Sequence, residues 1–126
     1  MRLKIVLPSG IYLDRKVEKV QAESISGGFC LLPNHIDMAS ALAPGILTYL
    51  AEDEYFHLAV DGGVLVKHSD SVRISSRMAV AGNLGELERE VVRMQDNAAE
   101  AEKSARSTVA KLEAGFVRSL IEVETA

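Results

Sequence analysis

Gly27-Gly28-Phe29-Cys30-Leu31-Leu32-Pro33-Asn34-His35 places a glycine pair, an apolar run and a proline-led polar loop within nine residues. Glycine takes positive φ without a Cβ clash, so Gly27-Gly28 reads as a turn. Phe29 to Leu32 reads as a short buried strand, which Pro33 ends because proline has no N–H for a sheet ladder. Asn34-His35 is then a polar loop held at a fixed place on a β-domain. Cys30 sits between Phe29 and Leu31 and reads as a small buried apolar side chain, since a reactive thiol needs an electropositive, partly exposed setting.

Outward from this stretch, residues 3 to 80 carry β-type punctuation. Leu3, Ile5 and Leu7 alternate with Lys4 and Val6 before a Pro8-Ser9-Gly10 turn. Ile11-Tyr12-Leu13 follows, and Asp14-Arg15-Lys16 reads as a charged break. The uneven apolar spacing from Val17 to Ala22 suggests a bulge or a change of sheet. Met38 to Leu42 could form a helical turn, stopped at once by Ala43-Pro44-Gly45. Ile46–Leu50 and Tyr55–Val60 read as strands around a Glu52-Asp53-Glu54 turn, and Asp61-Gly62-Gly63 as a tight hairpin into Val64-Leu65-Val66. His68 to Ser71 turns into Val72–Ser75. Short strands at near-regular intervals mean an antiparallel sandwich or barrel.

After Gly82-Asn83 no proline occurs, and Ala and Glu dominate. Leu84, Leu87, Val91, Met94, Leu112, Phe116 and Leu120 belong to an apolar stripe at a 3–4 alternation, which predicts a helix with a partner face. Asn83 is placed to cap it, with Glu86 at the third helical position. The stripe is alanine-rich from Ala98 to Ala105, where little area can be buried. The tail can therefore bend near Asp96-Asn97 or Ser104–Ser107 into a hairpin. Alternatively it runs straight for roughly 60 Å at ~1.5 Å per residue. Two helical segments of variable arrangement are expected, giving a β-domain over residues 1–81 and a helical domain over 82–126.

Composition excludes several function classes. The net charge of −4 and the absence of Trp argue against a nucleic-acid backbone or a base-stacking platform as partner. One cysteine allows no internal disulfide. No window reaches the ~20 apolar residues of a membrane span, so direct membrane insertion is not expected; nor is a leader, because Met1–Lys4 runs straight into a strand pattern. His35, His57 and His68 lack metal-ligand spacing, and neither glycine pair precedes Lys-Ser/Thr as a phosphate loop would. No metal, catalytic or cofactor residues are assigned.

Four pieces in order resemble the epsilon subunit of F-type ATP synthases, the counterpart of the mitochondrial delta subunit. Leu3 to Gly10 resembles the family's opening strand and turn, and Gly27 to His35 its Gly-x-x-Gly-Ile-Leu-Pro-Gly-His run. Leu42-Ala43-Pro44-Gly45 resembles the Leu-Lys-Pro-Gly turn, and Val60 to Val66 the Ser-Gly-Gly-Ile-Leu-Glu-Val hairpin. The resemblance implies a ten-stranded, two-sheet β-sandwich followed by a helical segment or hairpin. It implies a non-catalytic rotor subunit, peripheral at the cytoplasmic face of a bacterial plasma membrane, whose partners are the gamma subunit and the polar loops of the c-ring. Its tail can reach the alpha/beta catalytic hexamer and restrain hydrolysis.

Residue by residue, the resemblance puts Ser26, Gly27, Gly28, Asn34 and His35 in the loops that meet the c-ring and gamma, and Leu42, Pro44 and Gly45 in a gamma-facing turn. Gly28 stands where many relatives carry an acid, and Asn34 where they carry glycine. Some relatives bind ATP through Ile/Leu-Asp-x-x-Arg-Ala. Here Leu84-Gly85-Glu86-Leu87-Glu88-Arg89 has Gly85 and Glu88 at the Asp and Arg positions, so tight ATP binding is not expected. The competing reading is a free-standing binding module that homodimerises through a coiled-coil tail. The alanine-rich middle of the stripe disfavours it.

Overall fold

A computed structural model describes the backbone of residues 1–125 and the side chains of residues 1–113. Eight strands come first: β1 (Arg2–Leu7), β2 (Gly10–Lys16), β3 (Lys19–Ser24), β4 (Gly27–Leu31), β5 (Met38–Ala51), β6 (Glu54–His68), β7 (Ser71–Ser75) and β8 (Ala79–Ala81). One helix follows, α1 (Leu84–Thr125). The strands form a single hydrogen-bonded sheet in the order β2-β1-β7-β6-β5-β3-β4, with β8 added to β6. All pairings are antiparallel except β1 with β7. Period-two alternation aims Leu3 and Ile5, Val20 and Ala22, Leu47 and Tyr49, Leu58 and Val60, and Val72 and Ile74 inward, where they join one core.

The count is eight strands in one sheet, not ten in two, because β5 and β6 run on where the sequence predicts interruptions. Asp61-Gly62-Gly63 is a kink inside β6, not a hairpin: Asp61 pairs with Pro44 and Gly63 with Leu42. Gly62 and Gly63 hold φ of 69° and 118°, a left-handed backbone that bends the strand without ending it. Opposite them, β3 advances from Gln21 to Ser24 while β5 goes from Thr48 back to Leu42. Pro44 lies in that bulge, where the ladder to β3 is interrupted and a missing N–H costs nothing.

Each half of β6 therefore has its own outer neighbour. Leu58–Val60 pairs with β8 and Val64–His68 with β7, and the sheet doubles over so that both halves supply the core.

Other expectations also change. Met38–Leu42 is strand, since pairing with β6 from Met38 to Leu42 overrides a weak helical tendency. Asp14-Arg15-Lys16 continues β2, and Arg15 lies 4.8 Å from the Phe56 ring centroid and 5.7 Å from that of Tyr49. A guanidinium lying over two stacked aromatics lets a charged residue sit in a strand. β4 stops at Leu31, leaving Leu32 exposed. Cys30 is exposed too: β4 is an edge strand, and alternation turns Phe29 and Leu31 inward and Cys30 out beside Gln21. Glu52-Asp53 does form the expected turn, at φ of 52° and 61°.

The tail is one helix, uninterrupted at Asp96-Asn97 or Ser104–Ser107, since no proline or glycine occurs from Glu86 to Glu113 to break it. Asn83 caps it as expected, its side-chain oxygen accepting the Glu86 N–H at 2.9 Å. Arg106 bridges Glu102 one turn back. Contacts divide the chain into Met1–Met94 and Gln95–Ala126. Within the first unit, Leu87 and Met94 are fully buried with Ala59, beside Ile46, Val80 and Val91.

Candidate functional site

The loop residues singled out from the sequence separate into two groups. β4 alone divides Ser26-Gly27 from Asn34-His35, and five strand residues span roughly 13 Å. Ser26 and Gly27 form the β3–β4 turn, held by the Ser24 hydroxyl, which donates to the Gly27 carbonyl at 2.8 Å and accepts the Ser26 N–H at 3.0 Å. Ile25 donates its N–H to the Ala41 carbonyl, which sets this turn beside Leu42, Pro44 and Gly45. Leu42 and Gly45 are buried and Pro44 half-buried inside β5, so the expected turn is a bulged stretch of strand that offers backbone shape more than side chains. Gly28 is exposed on the edge strand.

Asn34 and His35 lie at the other end, in a turn closed by the His35 N–H on the Leu32 carbonyl at 3.0 Å. Both are exposed. The His35 Nδ1–H donates to the Ile36 carbonyl at 2.8 Å, which fixes the proton on Nδ1.

Sequence reasoning missed what holds this loop. Lys67 is 1% exposed, and its ammonium donates to the carbonyls of His35 (3.1 Å) and Ser69. Asp37 accepts the Ser69 N–H at 2.8 Å through Oδ1 and the His68 Nδ1–H at 3.1 Å through Oδ2. Loop 32–37 is thus tied to the β6–β7 turn by one cation and one carboxylate. A signal existed: Leu65 and Lys67 share a strand face, so Lys67 had to follow Leu65 inward.

The Ser69 N–H holds Asp37 below its ordinary 3.8, against an opposing desolvation; His68 and Lys67 add to the lowering. A depressed folded value means the carboxylate stabilises the fold above the unfolded value and loses that contribution as pH falls through the folded one. Asp37→Asn should therefore flatten the acid limb of stability below about pH 4, read from urea midpoints across pH 2–6. An identical acid limb in the variant would remove Asp37 from this tie.

The other histidines have local partners. His57 Nδ1 lies 2.8 Å from the Thr48 hydroxyl, and His68 is the exposed partner of Asp37. No cluster of three or more His, Cys, Asp or Glu able to hold a metal occurs among the described residues. None of the helices there is long and apolar enough to cross a membrane. Of the stripe residues, Leu87, Val91 and Met94 pack on the sheet of their own chain, whereas Leu84 and Leu112 are exposed. The Phe116 and Leu120 side chains lie outside the described residues.

The family description "ATP synthase, Delta/Epsilon chain, beta-sandwich domain" matches residues 1–82. The "ATP synthase epsilon chain 2" of Cereibacter sphaeroides is 32% identical over 125 residues, covering 96% of this chain and 86% of that one. An epsilon chain of Nitratidesulfovibrio vulgaris is 35% identical over 79 residues, 63% of this chain and 59% of its own length. Among solved structures, a chain of the Tetrahymena thermophila mitochondrial ATP synthase central stalk and c-ring shares the fold. Its TM-score is 0.58 at 14% identity, over 78% of this chain and 95% of that chain.

Proposed function

This chain belongs to the ATP synthase delta/epsilon chain family as a non-catalytic member, and on that premise we propose that it is a central-stalk subunit of an F-type ATP synthase. In this reading the β-domain (1–81) links the gamma subunit to the polar loops of the c-ring, coupling ion translocation to ATP synthesis and hydrolysis. The chain sits peripherally at the cytoplasmic face of a bacterial plasma membrane. The helical part (82–126) reaches toward the alpha/beta hexamer. The observation that carries the reading is the match to an epsilon chain along nearly the whole chain, tail included.

Asn34 and His35 serve as one contact and the Ser26-Gly27 turn, with Gly28, Leu42, Pro44 and Gly45 near it, as another. Two contacts at opposite ends of β4 suit an adaptor that joins two partners. A tagged chain purified from its own cells should bring down ATP synthase subunits. Recovery of a homodimer alone would favour the coiled-coil module instead.

Restraint of hydrolysis by the tail is weak in this proposal. Acidic catalytic subunits are held by cations, and Lys111 and Arg118 are the only ones after Arg106. Nucleotide is not held tightly either, with Gly85 and Glu88 in place of an Asp and an Arg. Calorimetric titration with ATP should give no saturable binding below about 1 mM, a range that corresponds to roughly −4 kcal/mol. Micromolar affinity would overturn this.

A further inference from the structure

One row of the inward face has a cation where an apolar residue would be expected. Met38, Lys67, Val72, Leu3 and Arg15 stand side by side across β5, β6, β7, β1 and β2. Val72 and Leu3 are fully buried, so the row belongs to the core. Arg15 closes one end of it over the Tyr49 and Phe56 rings. Lys67 makes no ion pair among the described residues, and the carbonyls of His35 and Ser69 meet its ammonium. A buried ammonium without a bridging carboxylate is a costly occupant. An apolar side chain of similar volume would serve the core as well or better.

What an apolar side chain could not do is hold segment 32–37. That segment crosses from β4 to β5 with no strand partner of its own. Three restraints fix it. The Lys67 ammonium donates to the His35 carbonyl, the Asp37 carboxylate accepts from Ser69 and His68, and the His35 N–H donates to the Leu32 carbonyl. Both side-chain restraints run to the same β6–β7 turn. Leu32 and Ile36 are 54% and 78% exposed, so the segment holds two aliphatic side chains in water on either side of Asn34 and His35. Without the restraints, such a segment has many arrangements to lose when it binds.

We propose that Lys67 and Asp37 are positioning residues, which hold segment 32–37 in its binding conformation and act through the backbone of Asn34 and His35. The inference rests on the reading above, in which Asn34 and His35 meet a neighbouring subunit. Pre-organisation removes the ordering cost at the moment of association, so its loss falls on affinity and on-rate together. The costly lysine is thereby explained by the loop and not by the core.

The test uses the full chain and ATP synthase purified from cells that lack this chain. The backbone order parameter at the His35 amide should be about 0.8 or more in the native chain, and about 0.6 or less in Lys67→Met and in Asp37→Ala. Each variant should bind the depleted enzyme about tenfold more weakly, mostly through slower association. Lys67→Met keeps the buried stem and Asp37→Ala changes only an exposed side chain, so a folding defect in the first, read from urea midpoints, leaves the second to decide. Adding Lys67→Met to N34A/H35A should weaken binding by less than about twofold, since little remains for the lysine to position. A rigid His35 amide in both variants, native binding by both, or a Lys67→Met loss equally large in the N34A/H35A chain would overturn the proposal and leave the rotor reading standing. Failure of the native chain to bind the depleted enzyme would remove both.

Discussion

Gly63→Ala should cost about 3–5 kcal/mol, a loss seen only where a substitution meets fixed backbone. A Cβ built on Gly63 would fall 1.9 Å from the Ser75 carbonyl oxygen and 3.1 Å from the Ser76 Cα, at a φ of 118° that alanine rarely adopts. Both obstacles are backbone, so no rotamer change relieves them. Relief requires β6 to part from β7 at the Val64–Ser75 pair. Gly28→Ala is the matching control. Its nearest atom would be the Ala22 carbonyl oxygen at 3.9 Å, an ordinary contact. Urea midpoints should drop sharply for the first variant and move by about 0.5 kcal/mol or less for the second. Equal midpoints would mean that the kink in β6 is not rigid.

The second large effect concerns where the tail can be cut. A chain ending at Asn83 loses Leu87 and Met94, both fully buried with Ala59, and uncovers Ile46 and Val80. Two such side chains are worth about 3–6 kcal/mol together. A chain ending at Met94 keeps the whole compact unit and should lie within about 1 kcal/mol of the full chain. Comparing the two in urea checks this; equal stability would show that the Leu87–Met94 contact contributes little. Deletions meant to reveal restraint of ATP hydrolysis belong after Met94, since a cut at Leu84 mixes lost regulation with a weakened fold.

Much of the fold was legible because period-two alternation is a direct readout of which face is buried. Leu3 and Ile5, Leu58 and Val60, and Val72 and Ile74 all point where the pattern says. The strand count was not legible, because one local signal serves two geometries. A glycine pair at positive φ can reverse a chain or bend it, and only the partner strand decides. Here the partner carries Pro44 opposite Asp61, and two bends in register make a fold in the sheet.

Cys30 was misplaced for a related reason. Its apolar neighbours suggest burial, but alternation on an edge strand sends it outward. At the loop, Asn34 and His35 were visible as polar residues after a proline, and the inward place of Lys67 could be read from its alternation with Leu65, but Asp37 was not visible. What Lys67 and Asp37 tie together lies 31 or 32 residues away, and such a tie has no local signature.

The unbroken passage of β5 and β6 from one layer to the other has a mechanical consequence. Two layers joined by apolar contact alone would creep past each other under a sustained sideways load, because such contact has no direction. Here a load on one layer travels along two covalent chains into the other, through Pro44 on one side and Gly62-Gly63 on the other. The compliance of the domain is then set by a few backbone torsions at one crease. An element that passes twist between two neighbours would need that shear stiffness.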